Sequence, residues 1–524
     1  MVPDIRGSWI LVCTCLLIGL APSARAETWL RAESQHFVVY SSIGESDTRE
    51  HIEQLEAFKY LAELILGTNP KDTVANTKFT IYLLAQPDHI KTVMPAANRF
   101  VAGVYFHCVE NSQAFVYAPQ WYGAEMDIGL QILLHEYSHH LMFSRARRIY
   151  PSWYVEGFAE YLGATKLQDG RYRLGVRQEG RAAQLNSSDK WLDLETMLDP
   201  TQFAAAVKNK KVNAFQFYAQ SWILAHYMLS DSARTQAFNN YFDRIGRGEK
   251  GGESFEAATG MTLAKLRAEL STYRRTYAAL LVNVPSLPDI TIKTSRLPRE
   301  QAAYLIEAAA LQVCPKKKYG TKLLEEFRAL RAKSPGDLRL RVELSRAELL
   351  FGDRKAARNE LESIAANDAL AFDVAYLLGR TYFEEAKPET AEQVTDRNTA
   401  SEHFLAAYQL DKTHPANLYF LSRSLDTGGT PSKAVVNSGT AAAVLAPSVP
   451  DYATHAALIS LRVGDRDTAI RVLQPLASNP HKLEYAAQVS ALIGAIREKE
   501  EFAPLIGKLE KLGLPPKEKE EDEK

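Results

Sequence analysis

The chain has 524 residues, of which 46% are hydrophobic and 24% are charged, and its formal net charge is −1. This length predicts two or three domains, and the hydrophobic fraction suffices for a large buried core. The nearly balanced charge argues against a nucleic-acid-binding protein and against attraction to an anionic membrane surface.

The first 26 residues have the pattern of a secretory signal peptide. Arg6 precedes the apolar stretch Trp9–Leu20, and Ala24-Arg-Ala26 follows it. A charged segment, an apolar segment and an A-x-A site predict cleavage after Ala26, so that the mature chain begins at Glu27. The apolar stretch is shorter than the roughly 20 residues of a spanning helix, although an uncleaved anchor is the alternative. We expect a periplasmic or secreted protein with no integral membrane segment after cleavage.

Residues 27–285 combine strand patterns with helix patterns. Arg49–Leu66 has the apolar spacing of an amphipathic helix, and the chain after Asp127 has a helical pattern as far as Tyr277. Because the strands come first and the helices follow, we predict an α+β domain. The predicted strands, of which the last two form a hairpin, are His36–Tyr40, Phe79–Leu84, Val101–His107 and Ala114–Tyr117.

Two histidines have the spacing of metal ligands. His135 and His139 lie four residues apart in the segment Gln-Ile-Leu-Leu-His-Glu-Tyr-Ser-His-His. Positions i and i+4 share one face of an α-helix, so both side chains can bind one metal ion. Glu136 lies beside them, within reach of a water on that ion. Two core histidines on a buried helix are the alternative.

A second segment supplies a third ligand. Pro151–Gly163 starts with Pro-Ser and ends with glycine, which predicts a helix, and it places Glu156 with sixteen residues between it and His139. That separation lets the first helix end and the second return beside it. Two histidines, one glutamate and an open position form the ligand set of a catalytic zinc site. We therefore expect Zn²⁺ on His135, His139 and Glu156.

The sequence supports specific expectations for five other residues. Glu160 follows the third ligand by four residues, so it could accept a hydrogen bond from a ligand histidine; a surface carboxylate is the alternative. His140 and His107 are expected to serve packing. Cys108 and the distant Cys314 could form a bridge in an oxidising compartment, but two unrelated buried thiols are the favoured interpretation.

The C-terminal part differs in pattern from the rest. Three prolines and little periodicity between Val282 and Pro298 predict a linker, which we place at residues 286–298. Residues 299–514 show paired amphipathic helices with an internal repeat, because Ala400, Ala434 and Ala469 are 34 and 35 residues apart. This spacing resembles the tetratricopeptide repeat, whose pairs stack into a superhelix; an ordinary helical bundle is the alternative. Residues 515–524 are nearly all charged and predict a disordered tail.

The metal motifs are similar to those of the gluzincin metallopeptidases. The pattern His135-Glu-x-x-His139 followed by Trp153-x-x-Glu156-Gly-x-Ala-Glu160 resembles the aminopeptidase N-like branch, whose third ligand lies in Asn-Glu-Gly-x-Ala. The chain also resembles exported bacterial proteins that have a peptidase MA-like domain and helical repeats. The resemblance implies a zincin-like fold for residues 27–285, and it is specific only within residues 131–163.

Two departures from the aminopeptidase pattern bear on specificity. Val155 replaces the asparagine, and no Gly-x-Met-x-Asn segment precedes the motif. The choice between endopeptidase and exopeptidase therefore stays open. Ala102–Phe106 could still be an edge strand that pairs with an extended peptide.

The resemblance implies hydrolysis of peptide bonds by a zinc-activated water, with Glu136 as general base. It also implies a tyrosine on a helix well after the third ligand, and Tyr218 is our candidate for the group that stabilises the oxyanion. His226, on the same predicted helix, is the reserve. The repeats are expected to recruit a protein partner or substrate. The alternative is a helical-repeat scaffold whose peptidase-like domain is weakly active or inactive, because function depends on the site rather than on the fold.

Overall fold

The structure is a computed structural model. It describes residues 27–66, 78–97, 101–118, 128–144, 148–168, 171–187, 191–283, 289–364, 370–383, 391–498 and 501–513. The predicted signal peptide and the predicted charged tail lie outside these residues. Within them, no helix has the length and apolar character required to cross a membrane.

The N-terminal part contains both strands and helices, as predicted. Its strands are β1 (Leu30–Glu33), β2 (Phe37–Ser41), β3 (Phe79–Leu84), β4 (Gly103–His107), β5 (Ser112–Tyr117), β6 (Lys166–Gln168), β7 (Arg171–Leu174), β8 (Leu280–Asn283) and β9 (Lys293–Arg296). Its helices are α1 (Glu45–Ile65), α2 (Asp88–Val93), α3 (Ile128–Ser144), α4 (Ser152–Gly163), α5 (Glu179–Ser187), α6 (Leu194–Leu198), α7 (Pro200–Lys208), α8 (Ala214–Leu229), α9 (Ser232–Gly246), α10 (Gly251–Thr259) and α11 (Leu263–Thr276).

The described residues from 299 to 513, here called the helical half, form helices throughout. They are α12 (Arg299–Ala302), α13 (Leu305–Leu311), α14 (Lys317–Lys333), α15 (Leu338–Phe351), α16 (Arg354–Ser363), α17 (Ala371–Tyr382), α18 (Ala391–Leu410), α19 (Pro415–Leu425), α20 (Lys433–Leu445), α21 (Pro450–Arg462), α22 (Arg466–Ala477), α23 (Leu483–Arg497) and α24 (Phe502–Gly513).

Local signals in the sequence start several of these helices. Pro415 and Pro450 occupy the first turns of α19 and α21, where a missing backbone N–H costs nothing. The side chains of Asp353 and Asp465 accept hydrogen bonds from the first-turn N–H groups of α16 and α22. In one repeat unit the buried position is shifted by one residue from the predicted one, because Ala434 is exposed and its neighbour Val435 is buried.

A six-stranded mixed sheet has the order β4-β5-β3-β2-β1-β9. The central strands β2, β3 and β5 are parallel, while β4, β1 and β9 pair antiparallel. On one face, Phe37, Val39 and Ile81 pack with α1 and α3. On the other, Tyr82 and Phe115 pack with α13, α14 and α15. The helical half therefore covers one face of the sheet.

The structure differs from the predicted linker at residues 286–298. Strand β9 pairs with β1, from Leu30 opposite Arg296 to Glu33 opposite Lys293. Backbone hydrogen bonds hold this strand, whereas most of its side chains are exposed, so it leaves little hydrophobic pattern in the sequence. The predicted helical stretch up to Tyr277 is likewise interrupted by the short strands β6 and β7.

The structure corrects the prediction of two unrelated thiols. Cys108, after β4, and Cys314, after α13, form a disulfide across 206 residues of sequence, with Cα atoms 5.8 Å apart. The bridge forms because α13 packs against the sheet beside the β4–β5 turn, and sequence spacing does not encode that contact.

The same β4–β5 turn makes polar contacts with later helices. The Glu110 carboxylate is buried and accepts hydrogen bonds from Arg380, at 2.5 Å, and from the Tyr376 hydroxyl, at 3.3 Å, both on α17. The Tyr452 hydroxyl on α21 donates to the Val109 carbonyl oxygen at 2.6 Å. These contacts place helices α17 and α21 of the helical half against the β4–β5 turn.

Candidate metal centre

Two helices carry the predicted ligands, and a third supports them. His135, Glu136 and His139 lie on α3, and Glu156 lies on α4, as the motif spacing predicted. Every residue of α4 from Trp153 to its end is buried. Such complete burial means that α4 is packed on all sides, with α3 and α8 as its main neighbours.

Two glycines of α4 explain how the neighbouring helices come so close. A Cβ atom on Gly157 would lie 2.3 Å from the Ser221 carbonyl oxygen of α8, and one on Gly163 would lie 3.2 Å from the His135 Cβ of α3. The approach at Gly157 leaves no room for a side chain, and the one at Gly163 is tighter than an ordinary contact. The Gly157 of the Glu-Gly-x-Ala segment therefore has a packing role that places the neighbouring Glu156.

The structure brings the three predicted ligands together. His135 Nε2 and His139 Nε2 are 3.2 Å apart, and Glu156 Oε2 lies 3.5 Å from the first and 3.6 Å from the second. A tetrahedral ion with bonds of about 2.0–2.1 Å separates its donor atoms by roughly 3.3 Å. These three donor atoms therefore fit a metal ion.

The surroundings of Glu156 favour a bound cation. Both of its carboxylate oxygens are buried, and within the described part of the chain neither accepts a hydrogen bond of normal geometry. A buried carboxylate without such partners is costly. Burial would raise the pKa of Glu156, but His139 and His135 outweigh burial and hold that pKa well below its ordinary value.

The histidines respond to the same negative charge. Burial opposes the protonation of His135, but Glu156, Glu160 and Glu136 outweigh burial and raise the pKa of His135 to about 9. Three carboxylates thus act on one imidazole. The pocket has an excess of negative charge, which a divalent cation would neutralise.

Glu160 lies beside His135 and is buried, so it is not a surface carboxylate, while its distance from the ligand histidine is longer than that of the predicted hydrogen bond. Its Oε1 atom is 3.6 Å from His135 Nδ1. Arg181 on α5 fixes this carboxylate by donating to Oε2 from Nε at 3.0 Å and to Oε1 from Nη2 at 2.5 Å. Sequence reasoning missed Arg181, since no motif marks it.

Tyr218 lies beside the cluster on α8. The Arg181 guanidinium carbon is 5.1 Å from the centre of the Tyr218 ring. Burial raises the pKa of the Tyr218 hydroxyl, and Glu156, Glu160 and Glu136 raise it further. The hydroxyl therefore stays protonated near neutral pH and can donate a hydrogen bond.

The other predicted histidines have structural partners. His226 Nδ1 is 2.9 Å from the Tyr273 hydroxyl and His226 Nε2 is 3.1 Å from the Gly175 carbonyl oxygen, and neither partner belongs to the ligand cluster. His140 packs against Tyr137, and its Nδ1 atom is 3.1 Å from the Tyr105 hydroxyl. The structure thus leaves Tyr218 as the better placed of the two predicted oxyanion donors.

His107 is largely buried on the edge strand β4. Burial lowers its pKa to about 3, with smaller contributions from His140, His139, His481 and Lys482. His140 and His139 belong to α3, whereas His481 and Lys482 belong to the turn between α22 and α23. His107 therefore lies near both the helix that carries the candidate ligands and the helical half.

One residue at the site comes from the helical half. His481, in the turn between α22 and α23, has its Nε2 atom 3.4 Å from Glu156 Oε1. Its ring centre is 6.3 Å from that of His139. Sequence reasoning missed His481 because it lies outside any motif and more than 300 residues beyond the ligands.

Comparisons with family models, with curated protein sequences and with solved structures gave no match. The likeness to gluzincins therefore rests on the two motifs. Within the second motif, Val155, which stands in place of the aminopeptidase asparagine, is fully buried in the core.

Proposed function

We propose that this chain is a zinc-dependent peptidase of the gluzincin type, with a zincin-like N-terminal domain. The observation that carries the proposal is the cluster of His135, His139 and Glu156, whose donor atoms lie 3.2–3.6 Å apart with Glu136 next to the first ligand. Two imidazoles and one carboxylate are a donor set suited to Zn²⁺ with one position left for water or substrate.

The residues around the cluster have distinct roles in this proposal. Bound zinc would supply Lewis-acid activation of a water molecule and of the scissile carbonyl. Glu136 takes a proton from the attacking water and delivers it to the leaving amine. Tyr218 donates a hydrogen bond to the developing oxyanion, a role for which its raised pKa suits it.

The substrate in this proposal is an extended peptide. Strand β4 is one of the two edge strands of the six-stranded sheet and lies against α3, since a Cβ on Gly103 would meet the Ile132 side chain at 2.4 Å. An edge strand can pair with an extended chain through backbone hydrogen bonds. A peptide bound there would run alongside the helix that carries the ligands.

Export of the protein fits one structural observation. The disulfide between Cys108 and Cys314 needs an oxidising compartment to persist. We therefore keep the proposal of a periplasmic or secreted protein. Recruitment of a protein partner by the tetratricopeptide-like repeats also remains a proposal. Part of the helical half packs on the sheet, and that surface is therefore not available to a partner.

Metal analysis and peptide cleavage together test this function. The mature chain, loaded with zinc and dialysed, should hold one zinc per molecule, and His135→Ala should hold far less because one of three donors is gone. Glu136→Gln is the matched control: it should keep the zinc and the fold and lose hydrolysis, since only proton transfer is removed.

The outcomes separate the enzyme from the scaffold alternative. Cleavage of members of a diverse peptide library by the parent but not by Glu136→Gln supports the proposal. A parent protein with clearly substoichiometric zinc contradicts it. Equal cleavage by both proteins would show that Glu136 is not the general base. Cleavage by neither protein would favour the alternative of a helical-repeat scaffold.

A further inference from the structure

We propose that His481 of the helical half is a fourth protein donor to the metal, which closes the site in the resting protein. The inference rests on the proposed function, because it concerns the same metal. It adds a metal donor from outside the peptidase-like domain. It also adds a latent state, in which four protein donors fill the site and leave no position for substrate, and the three-ligand motif does not predict such a state.

The position of His481 carries the inference. Its Nε2 atom lies 3.4 Å from Glu156 Oε1, whereas the two histidine ligands face Oε2, the other oxygen of the same carboxylate. Its ring centre is 6.3 Å from that of His139. His481 lies outside the group of three whose donor atoms are all within 4.8 Å of one another, so its exposed side chain must turn toward the ion to bind it, and imidazole is a common zinc donor.

The turn that carries His481 is held in place by several contacts. The Tyr150 backbone N–H, just before α4, donates to Ser478 Oγ at 2.9 Å. The His481 backbone N–H donates to Asn479 Oδ1 at 2.9 Å, which fixes the turn itself. The helical half is therefore docked where the ligand helices meet, and the approach of His481 follows from that docking.

The side chain of His481 is nevertheless free to leave. It is 62% exposed, whereas the side chains of His135, His139 and Glu156 are 16%, 5% and 1% exposed. A site with four protein donors resembles a structural zinc site, which has no open position. A bound substrate carbonyl or water could displace the exposed imidazole without disturbing the core, and the site would then be open for catalysis.

The test measures the metal directly. X-ray absorption of the zinc-loaded full-length protein should show three imidazoles at the metal, and His481→Ala should show two. Competition with a chelator should give zinc binding at least tenfold weaker for His481→Ala, in keeping with the loss seen when residues around a metal site are removed. Lys482→Ala, at the exposed next position, is the matched control and should match the parent.

The rate of peptide cleavage tests whether the resting site is closed. At saturating zinc, His481→Ala should cleave a short unstructured peptide faster than the parent, because no side chain competes for the open position. Lys482→Ala should again match the parent.

Each outcome decides the inference. Two imidazoles in the parent, or equal zinc affinity in the parent and His481→Ala, would overturn His481 as a donor while leaving the three-ligand site intact. Slower turnover by zinc-saturated His481→Ala would overturn the latent state. A parent that binds no zinc would overturn the proposed function itself. If His481→Ala does not fold, the imidazole count of the parent and the affinity of His481→Gln decide.

Discussion

Gly157→Ala is expected to weaken both the fold and the metal site. The added methyl group would lie 2.3 Å from the Ser221 carbonyl oxygen, so α4 and α8 must separate by about 1 Å to restore ordinary contact. Overpacking of this kind costs about 1–3 kcal/mol, and the better helix propensity of alanine returns up to about 1 kcal/mol. We expect a net loss of roughly 1–2 kcal/mol. Because Glu156 is the adjacent residue, zinc affinity should fall about tenfold, which corresponds to 1.4 kcal/mol.

Gly494→Ala is the matched control for this substitution. Gly494 lies inside α23, and a Cβ there would have no atom within 4 Å. Alanine should therefore stabilise the protein by about 0.5–1 kcal/mol. Urea midpoints of the metal-free proteins and chelator competition of the zinc-loaded proteins give both quantities. If Gly157→Ala matches the control in midpoint and the parent in zinc affinity, the close helix contact does not position the ligand.

Three further variants test the oxyanion donor, the disulfide and a buried ion pair. Tyr218→Phe should keep its zinc and lose about 10²–10³-fold in kcat; a change below twofold would remove Tyr218 from the mechanism. Replacing both Cys108 and Cys314 with serine should lower the urea midpoint measured without reductant, with a ceiling of about 5 kcal/mol for a loop of 206 residues; an unchanged midpoint would show that the bridge does not stabilise the fold. Burial would raise the pKa of Glu110, but Arg380, Arg346 and Tyr376 together outweigh burial and lower it, so these contacts should stabilise the fold at neutral pH and lose that contribution as the pH falls below the ordinary carboxyl range. Glu110→Gln should cost about 3 kcal/mol near pH 7 and flatten the acid limb of stability against pH, and an unchanged acid limb would contradict this assignment.

Local patterns in the sequence determined much of the candidate site. The spacing of His135 and His139 needs only the geometry of one helix, and a helix start and stop around Glu156 predicted the second element. The strands β2, β3 and β5 followed from short runs of β-branched and aromatic residues. These features were readable because each depends on residues that are neighbours along the chain.

Contacts between distant segments were decided only in the tertiary structure. The linker prediction was wrong at residues 293–296, because strand β9 is held by backbone hydrogen bonds to β1 that leave no side-chain pattern. The pairing of Cys108 with Cys314 required α13 to pack on the sheet.

The residues that surround the candidate metal ligands were likewise positioned by contacts between segments that are distant in the sequence. Arg181 reaches Glu160 from α5, and His481 reaches Glu156 from the far end of the helical half. Neither residue belongs to a periodic pattern or a motif. Their positions depend on how whole helices pack, which is set by the shapes of buried side chains and by close contacts such as that of Gly157. The sequence alone therefore placed the three candidate ligands and Glu136 on two helices, and the packing of the two halves determined which other groups face them.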